Sequence, residues 1–124
     1  MKTAVISFTE QGNKLNNEIC KALNADSYKS VKNIMSVISE LFREYRALIF
    51  IGSAGIAVRS IANLIVSKDT DPAVLVCDEL GRYVIPILSG HIGGANELAV
   101  RLANKINADA VITTATDING IWSV

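Results

Sequence analysis

Residues 47–61 read ALIFIGSAGIAVRSI. Ala47 to Ile51 is apolar without a polar alternate, the pattern of a strand covered on both faces. Gly52-Ser53-Ala54-Gly55 then opens a helix with Ile56, Ile61 and Leu64 among its apolar positions. Upstream, Thr3 to Phe8 reads as a first strand. Gln11 to Asn24 carries Leu15, Ile19, Ala22 and Leu23 at helical spacing. Asp26 to Ser30 reads as a short strand. Ile34, Val37, Ile38, Leu41 and Phe42 recur at i, i+3, i+4, i+7 and i+8, which predicts one helix ending near Arg43–Arg46. Downstream, Pro72 to Cys77 and Arg82 to Leu88 flank Asp78-Glu79-Leu80-Gly81 and read as a hairpin. A helix with a stripe of Ala95, Leu98, Ala99, Leu102, Ala103 and Ile106 follows, and Ala110 to Thr113 reads as a last strand. Strands alternating with helices predict a single α/β domain over residues 1–124. It is a three-layer sandwich on a mostly parallel sheet, with one antiparallel strand from the hairpin.

Composition narrows the function classes. Of 124 residues, 50% are hydrophobic and 19% charged, with a mean hydropathy of +0.34, so a disordered chain is excluded. Twelve basic and twelve acidic residues cancel, so no global field draws nucleic acid or an anionic membrane. Cys20 and Cys77 lie too far apart for a metal knuckle or a disulfide framework, and one histidine cannot complete a zinc site. No apolar run suits a signal peptide or a membrane span, and a reducing cytoplasm is the expected compartment.

Three loops carry chemistry-bearing residues. Gly52, Ser53 and Gly55 let a ligand approach the backbone at a helix start, where free amides attract anions, and Arg59 lies one turn further in. A plain turn with Ser53 as N-cap accounts for the same residues. The spacing is neither the dinucleotide fingerprint nor a Walker loop. Ser89-Gly90-His91-Ile92-Gly93-Gly94-Ala95-Asn96-Glu97 is sharper, because the one histidine sits among three glycines before a helix. Imidazole suits proton transfer near neutral pH. Glu97 and Asn96 serve either that histidine or the helix start. Thr114, Thr116 and Asp117 follow the last strand as a polar set. Lys68-Asp69-Thr70-Asp71-Pro72 precedes a buried strand and reads equally as a solvated turn. If the first hairpin strand is the reversed one, the loops after residues 51, 88 and 113 meet at one sheet edge. That convergent arrangement is the expectation. If the second strand is reversed, the His91 loop lies at the opposite edge.

The stretch from Leu48 to Asn119 resembles the N-terminal and middle part of the CbiG family, the cobalt-precorrin-5A hydrolases of cobalamin (vitamin B12) biosynthesis. The matching segments are GIAVRSIA, SKDTDPAVLVCDELGRYVIPILSGHIGGANELA and VITTATDINGIW. The resemblance implies hydrolysis of a δ-lactone in cobalt-precorrin-5A and loss of a two-carbon fragment as acetaldehyde, giving cobalt-precorrin-5B. The cobalt is the substrate's, so no protein metal site and no cofactor is implied. His91 becomes the general base or acid, with Glu97 or Asp71 as carboxylate partner and the Gly93 and Gly94 amides as oxyanion donors. Gly52, Ser53, Gly55, Arg59, Lys68, Ser89, Gly90, Gly93, Gly94, Asn96, Thr114, Thr116 and Asp117 become substrate-binding residues, with Arg82 a further cation. Family members continue into a C-terminal domain, so the implied partners are the macrocycle and that absent domain. Two other readings fit the residues. One is a non-catalytic module for an anionic ligand or the absent domain. The other is a nucleotide-binding or receiver-like domain, which lacks its phosphate fingerprints here.

Overall fold

The computed structural model describes residues 1–114. Its elements, in chain order, are β1 (Thr3–Ser7), α1 (Glu10–Leu23), β2 (Asp26–Tyr28), α2 (Ile38–Glu44), β3 (Ala47–Ile51), α3 (Ala54–Ile61), β4 (Ala73–Cys77), β5 (Tyr83–Leu88), α4 (Ala95–Ile106) and β6 (Asp109–Ala110). One sheet contains all six strands in the order β2-β1-β3-β4-β5-β6. Every residue of β1, β3 and β4 is buried, because alternate side chains serve two different cores. Val5, Ile49, Ile51 and Leu75 pack with Leu15 and Ile19 of α1 and Leu98 and Leu102 of α4. Ile6, Leu48, Phe50, Val74 and Val76 pack with Ile38 and Leu41 of α2 and Ala57 and Ile61 of α3. The sandwich therefore has the three layers expected from the sequence.

The stripe over residues 34–42 marks one buried face but not one helix. Ile34–Ser36 forms a 3-10 turn, and Val37, at φ −121°, separates it from α2. The break leaves Ile34 and Val37 on the same core as Ile38 and Leu41. The last strand is also displaced. It pairs at Asp109 and Ala110 with Tyr83 and Val84, ahead of the expected Ala110–Thr113.

The convergent arrangement is not what the chain adopts. β1, β2, β3 and β4 are mutually parallel, and β5 is the strand that turns back, with Cys77 opposite Val84 and Val74 near Leu88. β6 follows β5 in parallel. A connection that contains α3 joins β3 to β4, and such a crossover returns the chain in the same direction. The tight Asp78–Arg82 turn then forces β5 to run the other way. Its register is held by Asp78, whose carboxylate accepts from the amides of Leu80 (3.2 Å), Arg82 (2.9 Å) and Tyr83 (2.8 Å). The loop after residue 51 thus lies at the carboxyl edge of the parallel strands. The loop after residue 88 lies at their amino edge, about 15 Å away for strands of this length.

Candidate functional site

At the amino edge, the loop leaving β5 is folded onto the segment that leads into β4. Ser89, 8% exposed, donates from Oγ to the Asp71 carbonyl at 3.2 Å. Asp71, 7% exposed, turns its carboxylate onto backbone. Val66 N lies 3.0 Å from Oδ2 and 3.2 Å from Oδ1, and Ser67 N lies 3.2 Å from Oδ2. Asp71 therefore clasps its own turn. Both of its carboxylate oxygens accept from that backbone.

The Ser89–Gly94 loop supplies the cap of α4 from its own backbone. Ala95 N donates to Ser89 O (3.1 Å), Asn96 N to Gly90 O (2.9 Å) and Gly94 N to His91 O (3.3 Å). Of the two amides expected as oxyanion donors, that of Gly94 is thus engaged within the loop. The turn requires positive φ at Ser89 (56°) and at Gly94 (84°). It also requires the absence of a side chain at residue 93, where a Cβ would stand 2.4 Å from Ser89 Cβ and 2.8 Å from its carbonyl oxygen. Asn96, buried, donates from Nδ2 to Thr114 Oγ1 at 3.2 Å, so the 89–97 and 114 segments meet as expected. Thr116 and Asp117 lie outside the described residues.

A cleft of ≈ 670 Å³ opens beside this loop, within the size range of small-molecule sites. Ile92, Gly93, Gly94 and Glu97 form one wall, and Asp69, Thr70, Asp71 and Pro72 the floor. The opposite wall is Phe42, Arg43, Tyr45 and Arg46, with Met1 between. Glu97 is exposed on the first turn of α4, with its carboxylate at the positive end of the helix. His91 is half-buried in the loop and is not among the lining residues. Lys68 is exposed in the neighbouring turn.

Arg43 and Arg46 are the residues that sequence reasoning missed. They precede β3 by a few residues, as 69–72 precede β4. Once β3 and β4 are parallel and β5 is reversed, both lead-in segments must share an edge with the His91 loop. That inference was available from the crossover rule.

The carboxyl edge carries the other candidates. Ser53 N-caps α3, accepting from Ile56 N at 3.3 Å. A shallower crevice of ≈ 430 Å³ is lined by Phe8, Thr9, Gly52, Ser53, Ile56, Asp78, Glu79 and Leu80, among others. Here the protein supplies its own anion. Thr9 caps α1 by accepting from Gly12 N at 3.0 Å, and its hydroxyl donates to Glu79 Oε2. Arg59, near Gly55, belongs to this side, as does Arg82 at the hairpin. Gly52, Ser53, Gly55 and Arg59 are therefore separated from His91, Gly93 and Glu97 by the length of the sheet. Cys77, at the end of β4, is buried, and burial pushes its thiol up to about 12.

Among the described residues no cluster of His, Cys, Asp and Glu could hold a metal ion, and no helix is long and apolar enough to cross a membrane.

Comparisons with known proteins agree on one family. A family model described as Cobalamin synthesis G N-terminal matches residues 36–117. A Salmonella typhimurium protein named cobalt-precorrin-5A hydrolase is 59% identical over 80 residues, covering 64% of this chain and 23% of that protein. A Priestia megaterium protein of the same name is 49% identical over 86 residues, covering 69% and 23%. A Methanocaldococcus jannaschii relative that carries the same activity in its name is 36% identical over 123 residues, covering 97% and 37%. The crystal structure of a cobalamin biosynthesis protein G homologue from Sulfolobus solfataricus matches with a TM-score of 0.81 at 27% identity, covering 94% of this chain and 39% of that one. The chain thus spans about a quarter to two fifths of the length of these relatives.

Proposed function

Because this chain belongs to the Cobalamin synthesis G N-terminal family, we propose that it is the N-terminal part of a cobalt-precorrin-5A hydrolase and that the amino-edge cleft takes one edge of the corrinoid macrocycle. The observation that carries this placement is the cleft itself. A glycine loop with the one histidine stands across it from two arginines.

Opening a lactone requires a base for water, an acid for the departing alkoxide and donors for the oxyanion between them. His91 is the proposed base and acid, close in the chain to the cleft wall at Ile92 and Gly93. Glu97, exposed at the same wall, is the carboxylate that holds or receives the proton, while Asp71 keeps the loop in place. Gly93 is the amide donor. Cobalt enters and leaves with the substrate. The cleft suits one edge of the ring with its side chains rather than the whole disc. The partner proposed for the rest of the ring is the further chain that the longer relatives possess.

The test is acetaldehyde release from cobalt-precorrin-5A by this chain together with the remainder of a longer relative. His91→Ala is expected to lower the rate by about 10²–10⁴-fold with the fold retained. A wild-type rate in that variant removes the histidine from the mechanism. A second reading, a non-catalytic module that docks the remainder, is favoured by Ile56 and Leu80, 39% and 57% exposed at the carboxyl-edge crevice. It predicts that His91→Ala is without effect while Leu80→Asp abolishes assembly.

A further inference from the structure

The arginine wall of the cleft has no role in the family reading, yet it is fixed in place by the fold. Tyr45, between the two arginines, is buried. Its hydroxyl donates to Asp26 Oδ2 at 2.6 Å and lies 2.8 Å from the Tyr28 hydroxyl. The two rings meet edge to face at 6.1 Å, and Lys2 Nζ sits 4.7 Å over the Tyr45 ring. Arg46 is tied on both sides by backbone, donating to Lys2 O (2.9 Å) and accepting from Ala73 N (2.9 Å). Arg43 stands on the last turn of α2. Both arginines are exposed. Among the described residues neither is paired with a carboxylate. The cleft's acids, Asp69, Asp71 and Glu97, lie on the floor and the far wall. The cleft lining thus carries two arginines together with the acids Asp69 and Glu97, the Asp71 carboxylate being turned onto its own backbone. Arginine's planar fork matches a carboxylate in a way that a lysine point charge does not.

Resting on the corrinoid reading, we propose that Arg43 and Arg46 form a carboxylate-reading wall, gripping neighbouring acidic side chains at the rim of the macrocycle. The grip turns the reacting edge towards Glu97 and Gly93. Two guanidinium groups, three residues apart in the chain, take a pair of rim carboxylates. Their role is recognition: neither arginine gives or takes a proton.

The experiment is calorimetric titration of this chain with cobyrinic acid, a cobalt corrin whose rim carries free carboxylates, and with its fully methyl-esterified counterpart. The two probes share the ring and differ in charge. Arg43→Ala and Arg46→Ala are each expected to weaken binding of the acid about tenfold, and the double variant more, with folding checked by circular dichroism. Binding of the ester is expected to change less than about twofold. Arg43→Lys and Arg46→Lys are expected to recover only part of the loss. A folded double variant that binds the acid as the parent does, or that loses acid and ester equally, overturns the wall. So does a parent that binds neither probe. The functional reading fails by a different measurement, the absence of acetaldehyde from cobalt-precorrin-5A when the remainder of a relative is supplied. Acetaldehyde release with KM unchanged in the arginine variants overturns the wall and leaves the reading standing.

Discussion

The two edges of the sheet use the same parts to opposite ends. Each has a glycine turn leading into a helix, and each has acids and hydroxyls nearby. At the carboxyl edge the parts satisfy one another: Ser53 caps α3, Thr9 caps α1, Glu79 meets Thr9, and Asp78 holds the hairpin. Open α/β sheets commonly bind ligands at that edge, and here Asp78 and Glu79 line it. At the amino edge the loop is also braced by its own backbone, yet two arginines are left facing a larger cleft. The difference lies beyond the helix starts, which the protein fills at both edges: only the amino edge adds a pair of arginines to the lining of its cleft. Counting glycines does not reveal which edge that is.

The largest expected effect separates the edges directly. Gly93→Val drives a side chain into Ser89 and is expected to lower acetaldehyde release at least ~100-fold and stability by about 2 kcal/mol. At the other edge a Cβ on Gly55 meets nothing nearer than Arg59 Nη1 at 4.0 Å. Gly55→Ala should leave turnover unchanged and stability equal or up to about 1 kcal/mol higher. Equal loss of turnover in both variants would break the comparison.

Next in size is Asp71→Ala, which strips Val66 N and Ser67 N of their acceptor. Urea denaturation should show a loss of about 1.5–3 kcal/mol, accompanied by a raised KM. An unchanged denaturation midpoint would mean that the clasp is not what holds this edge. Glu79→Gln is smaller. It weakens a charge at the start of α1 and should cost about 0.5–1 kcal/mol with turnover intact. A collapse of turnover would move the site to the carboxyl edge.

The subtlest test concerns pH. The Cys77 thiol is raised by burial, and secondarily by Asp78, from an ordinary value of 9.0 to about 12. Below pH 9 the thiol is protonated in folded and unfolded chains alike and contributes no slope. From pH 9 to 12 only the unfolded chain ionises, so stability falls as pH rises. A Cys77→Ala variant should lack that part of the slope. Thiol reagents at pH 8 should leave Cys77 unlabelled in the folded chain. Rapid labelling would show the carboxyl edge to be open.

Much of this was legible in the chain. The all-apolar ALIFI run announced a strand buried on both faces, and the Ala95–Ile106 stripe announced α4. Both signals survive because burial acts residue by residue. The direction of β4 was also suggested, since parallel neighbours are joined by helix-bearing crossovers such as the one after β3, but the expectation set that rule aside and placed the hairpin the wrong way round. The break at Val37 was hidden, because a stripe at helical spacing reports a shared face and not hydrogen-bond continuity. The candidate site was half legible. The Ser89–Glu97 loop stands out by its glycines and histidine and lines the cleft in part, whereas Arg43 and Arg46 carry no local mark that separates them from other surface cations.

By itself the sequence determined the layers, most of the elements and the family, because hydrophobic spacing and long matching segments are local properties of the chain. Only the tertiary structure decided which loops face the same solvent. That depends on strand direction and on neighbours some fifty residues away, as when Arg43 and Arg46 come to stand across from Gly93 and Glu97. A carboxylate's role was decided in the same way. Asp71 and Glu97 look alike in the sequence, and their backbone neighbours make one a clasp and leave the other at the mouth of a cleft.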